Sequence, residues 1–83
     1  MKALYFAWVR ERVGLSEEDI APPPEVTTVG DLVFWLAARG DGYAEAFANR
    51  GAVRVALDKS HARPETTLGA AREIAFFPPM TGG

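Results

Sequence analysis

The chain has 83 residues, of which 48% are hydrophobic and 24% charged, with a formal net charge of -2 and no cysteine. A chain this short makes one domain that buries only about 60–65% of its unfolded surface. The charge balance excludes nucleic acid and an anionic membrane as partners. The missing cysteines exclude a disulfide framework, a thiolate metal site and a cysteine nucleophile.

Residues 2–9 are rich in aromatics and predict a strand. Alternation assigns Ala3, Tyr5, Ala7 and Val9 to one face and Leu4, Phe6 and Trp8 to the other. Both faces are apolar, so the strand is either covered on both sides or keeps one face for a partner. The run stops at Arg10-Glu11-Arg12 with no small-residue cleavage site after it, and nothing approaches a membrane span of about 20 apolar residues. A cytoplasmic protein opening on a strand is expected.

Gly14 suits a turn, Glu17–Ala21 reads as a weak second strand, and Glu17-Glu18-Asp19 reads as solvated. Pro22-Pro23-Pro24 predicts an extended connector. Thr28 is an N-cap with Asp31 in capping-box position. Val29, Leu32, Val33 and Leu36 then form one apolar stripe of a helix, which Gly40 is expected to end as a C-cap. A second short helix is expected over 43–48, its Tyr43 and Phe47 available to cover Phe34 or Trp35. Residues 52–58 alternate as a half-buried strand, residues 59–72 read as polar and turn-rich, and residues 73–77 read as a last strand stopped by Pro78-Pro79. This order predicts an α+β fold, with one main helix packed across a mixed sheet; if the first and last strands pair in parallel, the connection must cross over, as the helix permits.

Side-chain catalysis finds little support. The single histidine, His61, follows Asp58-Lys59-Ser60, but neighbouring loop residues do not assemble a triad, and no cluster at metal-ligand spacing surrounds it. It reads as an exposed loop histidine. The C-terminus differs. After the two prolines, Met80-Thr81-Gly82-Gly83 forms a thread whose final carbonyl is unhindered and whose glycines reach dihedrals closed to other residues. Residues 78–83 span about 20 Å when extended, enough to enter the active site of another protein.

The run Glu73-Ile74-Ala75-Phe76-Phe77-Pro78-Pro79-Met80-Thr81-Gly82-Gly83 resembles the C-terminal signature of the molybdopterin synthase small-subunit family, and Leu4-Tyr5-Phe6-Ala7 with Val9-Arg10-Glu11 is similar to its opening. The chain departs from that family in its proline-rich 21–27 connector and in His61, where the family tends to carry an aliphatic residue. The resemblance implies a ubiquitin-like β-grasp fold over residues 1–79 and a flexible tail over 80–83. It further implies that an E1-like enzyme spends ATP to adenylate the Gly83 carboxylate, which becomes a thiocarboxylate, a 1-thioglycine. Gly83, aided by Gly82, would then donate sulfur to the cyclic pyranopterin precursor inside a large synthase subunit. That large subunit is the implied partner, in a heterotetramer, with Phe6, Arg10, Phe77, Pro78, Pro79, Met80 and Thr81 as contacts. No bound cofactor or metal is implied, and catalytic side chains would belong to the large subunit. A thiamin-thiazole sulfur carrier and a β-grasp interaction module with an inert tail are the alternatives. Arg10 is expected at the end of the first strand, beside the root of the tail.

Overall fold

The computed structural model describes residues 1–79; Met80, Thr81, Gly82 and Gly83, and the expectations resting on them, lie outside the described residues. The elements run β1 (Lys2–Tyr5), α1 (Ala7–Val13), β2 (Glu17–Asp19), α2 (Val29–Ala37), α3 (Asp41–Ala46), a 3-10 turn (Arg50–Ala52), β3 (Arg54–Leu57), β4 (Ser60–Ala62) and β5 (Glu73–Phe77). The strands form one mixed sheet in the order β2-β1-β5-β3-β4. β1 pairs parallel with β5, while β3 pairs antiparallel with β5 and β4. The helices share one face of the sheet, which is the β-grasp arrangement. The first and last strands pair in parallel, the case in which the connection has to cross over.

The core is built where the alternation of the strands meets the stripe of α2. Ala3, Tyr5, Ile74 and Phe76 are all at most 1% exposed, and Val29, Leu32 and Leu36 of α2 pack onto them. Phe76 stacks on Tyr5 with centroids 5.8 Å apart and meets Phe47 edge-on at 5.0 Å. Phe47, just past α3, therefore covers the core face and not Phe34, which is 67% exposed. α2 starts as its sequence dictates. The Thr28 hydroxyl accepts from the Asp31 N–H, and the Asp31 carboxylate accepts from the Thr28 N–H. The N–H groups of Thr27 and Thr28 also hold the Asp31 carboxyl below the usual carboxylate range.

Several expectations are corrected. The first strand ends at Tyr5, and residues 7–13 are helical. The competing pattern is Val9 and Val13 at i, i+4 spacing, which turns Val9 fully into the core and leaves Val13 packed against it. Gly14 closes this helix at φ 91°, with its N–H donating to the Arg10 carbonyl. α2 stops at Ala37 with Ala38 as C-cap, and Gly40 instead precedes α3, which begins two residues earlier than the tyrosine that suggested it. The 59–72 segment contains β4, too short and polar to register as a strand.

Candidate functional site

The candidate site is the end of β5 and the open face of the sheet around it. β5 is held on both sides, with Leu4 and Ala56 flanking Ala75, and Arg54 opposite Phe77. Alternation places Leu4, Ala75, Ala56 and Phe77 on the face away from the helices. Ile74 and Phe76 are fully buried on the other side, whereas Phe77 is half-buried. Phe77 therefore is not part of the core, and Pro78 and Pro79 continue from it, also half-buried. The strand carries Pro78 and Pro79 off the rim of the sheet, and the prolines restrict the backbone there.

The expected trio Leu4, Phe6 and Trp8 is not one strand face. Leu4 stays on the open face, half-buried. Phe6 remains extended at φ -123° and ψ 152°, is 47% exposed, and its N–H donates to the Phe76 carbonyl. Trp8 instead lies on α1, where the Arg12 guanidinium sits 4.4 Å over its ring. Arg10 likewise does not end a strand; it lies exposed in α1, one turn beyond Phe6, its N–H donating to the Phe6 carbonyl. Because Phe6 is itself tied to Phe76, Arg10 still belongs to the end of the sheet from which the tail departs.

Two features were not legible in advance. His61 is exposed but sits on β4 opposite Ala56, and its ring meets Phe77 edge-on at 6.1 Å. With Arg54, Phe77 and Pro79 it lines a recess of about 300 Å³ at the root of the tail. The alternation of Arg54 against Val53 and Val55 was the available signal for one of these residues, while His61 gave none because β4 was invisible. The second feature is Glu18. Its carboxylate accepts from the hydroxyls of Tyr43 at 2.7 Å and Tyr5 at 2.9 Å, and pairs with Arg39 at 3.2 Å. Burial alone would raise this carboxyl, but the two hydroxyls and the guanidinium outweigh it and hold it below the usual range. Burial, reinforced by Glu18, pushes the Tyr5 hydroxyl far up. Glu18 is thus a structural tie and not part of a solvated turn.

Among the described residues no three His, Cys, Asp or Glu side chains gather to hold a metal, and no helix is long and apolar enough to cross a membrane. The described part of the site offers a shape, an apolar face and an exit for the chain end, with no acid–base pair beside them.

Comparison with known proteins fixes the family. The ThiS family model matches residues 3–83. The chain belongs to the ThiS family. It is 36% identical over 83 residues to the molybdopterin synthase sulfur carrier subunit of Escherichia coli strain K12, covering all of this chain and 99% of that one. It is 34% identical over 87 residues to the protein of the same name from Haemophilus influenzae, with the same coverage. Among solved structures it is similar to a putative molybdopterin converting factor, subunit 1, from Pyrococcus furiosus, with a TM-score of 0.75 and 26% identity over 95% of each chain. It is also similar to SAMP1 from Haloferax volcanii, with a TM-score of 0.73 and 25% identity, covering 100% of this chain and 98% of that one. Both solved structures agree with the β-grasp fold built above.

Proposed function

We infer that this ThiS-family chain is the sulfur carrier subunit of a molybdopterin synthase, working within a sulfurtransferase complex beside a large subunit. The observation that carries this reading is full-length similarity to two sulfur carrier subunits, joined to a central strand that ends at Phe77 and is followed in sequence by Pro78-Pro79 and Gly82-Gly83. The thiamin-thiazole alternative lacks such support, since both relatives carry the molybdopterin name.

In this reading an E1-like enzyme lets the Gly83 carboxylate attack the α-phosphorus of ATP, releasing pyrophosphate. The acyl-adenylate now has the leaving group that a carboxylate lacks. A sulfur nucleophile displaces AMP and leaves a thiocarboxylate, the 1-thioglycine form of Gly83. The large subunit, paired in a heterotetramer, admits Met80, Thr81, Gly82 and Gly83, and the sulfur attacks the cyclic pyranopterin precursor. Phe6, Phe77, Pro78 and Pro79 dock the body on the large subunit through the open sheet face, and Arg10 meets it at the rim. The deciding experiment has two arms. Mass spectrometry of the chain from a sulfur-replete host should show one oxygen of Gly83 replaced by sulfur. Addition of that form to the large subunit and the pyranopterin precursor should yield molybdopterin. An unmodified chain, or a sulfurated chain that yields none, defeats the reading.

A further inference from the structure

A second cavity lies on the helix side of the sheet, at the opposite edge from β2. It opens between the start of α2 and the β3–β4 hairpin and holds about 400 Å³. Val33, Phe47 and Val55 are among its apolar walls, and Arg50, Arg54 and Arg63 are also among its lining residues. All three arginines are exposed. None of them pairs with a carboxylate among the described residues, whose ion pairs are Lys2–Glu17 and Arg39–Glu18. Arg50 lies 5.8 Å over the Phe34 ring instead. No Asp or Glu lines the cavity, although acidic side chains outnumber Lys and Arg in the chain by 11 to 9. A third of the Lys and Arg residues is therefore gathered around one apolar opening of an acidic protein.

The cavity is continuous with the tail root. Arg54 and His61 line both this cavity and the recess that contains Phe77 and Pro79. The edge strand β4 separates the two openings, so a partner seated at the tail root can wrap around that edge. The volume suits an apolar side chain or two, and unpaired guanidinium groups are strong, forked donors to carboxylates.

We propose that the cavity between α2 and the β3–β4 hairpin is a second docking point, which takes an acidic peptide segment with an apolar anchor from the protein that receives the tail. The anchor fills the space over Val33 and Val55, and its flanking carboxylates pair with Arg50 and Arg63. The identity of that protein as the large synthase subunit rests on the sulfur-carrier reading; the cavity and its charge do not. Such a contact adds a charge-selective point to an otherwise apolar interface, and selects among partners more than it tightens any one of them.

The test titrates the isotopically labelled full-length chain with a capped hexapeptide, a central leucine and phenylalanine flanked by two aspartates and two glutamates. Amide shifts are expected within residues 29–33, 50–55 and 61–64, reversed by added salt. Affinity should fall at least about tenfold in the Arg50→Glu, Arg63→Glu double variant, and equally for the same peptide with asparagine and glutamine in place of its acids. Arg72→Glu, a single charge reversal outside the cavity, should leave it unaltered. No shifts, shifts confined to the open sheet face, or undiminished binding of the amide peptide would overturn the proposal; the last needs no protein variant to fold. Failure of the sulfur-carrier reading shows separately, as unmodified Gly83 with peptide binding intact.

Discussion

Phe76 and Phe77 are neighbours on one strand with opposite duties, and substitution should separate them. Phe76 is fully buried between Tyr5 and Phe47. Phe76→Ala is expected to cost about 3–5 kcal/mol of stability by opening a cavity, measured by urea unfolding. Phe77 is half-buried, with the His61 ring beside it. Phe77→Ala should barely move the unfolding midpoint but weaken binding to the large subunit by about 2 kcal/mol or more, as loss of an aromatic anchor does; calorimetric titration against that subunit checks it. Unchanged affinity would return Phe77 to a passive surface role. Glu18 carries a pH dependence. Its folded carboxyl lies below the ordinary range, so its stabilising contribution is complete above the unfolded carboxylate value and is lost as pH falls through the folded one. Glu18→Gln should therefore flatten the decline of the melting temperature in acid. At neutral pH, Glu18→Ala should lose about 2 kcal/mol, because the Tyr5 and Tyr43 hydroxyls lose a charged acceptor. A Glu18→Gln protein with the wild-type acid profile would refute the assignment.

At the scale of elements, the legible parts were those whose periodicity and end signals agreed. The α2 stripe, the Thr28–Asp31 box and β5 with its proline stop each had both, and each stands where the residues place it. α1 was illegible because Tyr5-Phe6-Ala7-Trp8-Val9 fits a strand as well as a helix over so short a run. The chain switches at Ala7, whose φ of 51° no pattern of apolar residues announces. β4 failed for the opposite reason: Ser60-His61-Ala62 has no apolar alternation, and its pairing with β3 supplies what its sequence lacks. For the candidate site this meant that the sequence placed Phe77, Pro78 and Pro79 at the end of the last strand but did not bring Arg54 and His61 beside them. Packing of α3 against α1 also escaped the sequence, although one glycine records it. A Cβ on Gly42 would overlap the Arg12 carbonyl. Gly42→Ala should lose about 1–3 kcal/mol through overpacking, reversing the gain of up to about 1 kcal/mol that alanine brings to a helix. Thermal unfolding decides between them, and a stabilised variant would show that α3 can move off α1 freely.

At the scale of the whole molecule, two measurements separate recognition from chemistry. Arg10 stands exposed on α1 at the end of the sheet from which the chain leaves. Arg10→Ala is expected to slow association with the large subunit at low ionic strength, with the difference vanishing as salt rises, since a rim charge steers encounter more than it holds the complex. Stopped-flow association rates equal to wild type at every salt concentration would leave Arg10 a solvated side chain. The tail is the stricter test. Every described core residue precedes Pro78, and the sheet closes at Phe77. Removing Gly83 is therefore expected to leave the melting temperature unchanged. The chemistry should be abolished, because deletion leaves the carboxylate on Gly82, one residue short along a thread that gains about 3.3–3.6 Å per residue. A misplacement of that size exceeds what an active site tolerates for an attacking atom. Adding one alanine after Gly83 errs in the other direction by the same length and gives the carboxyl a side chain at its α-carbon. Both variants should fold as wild type and carry no transferable sulfur, seen as an unmodified mass and no molybdopterin formed with the large subunit. An extended chain that accepts and delivers sulfur without being trimmed would show that the end of Gly83 is not the reactive group.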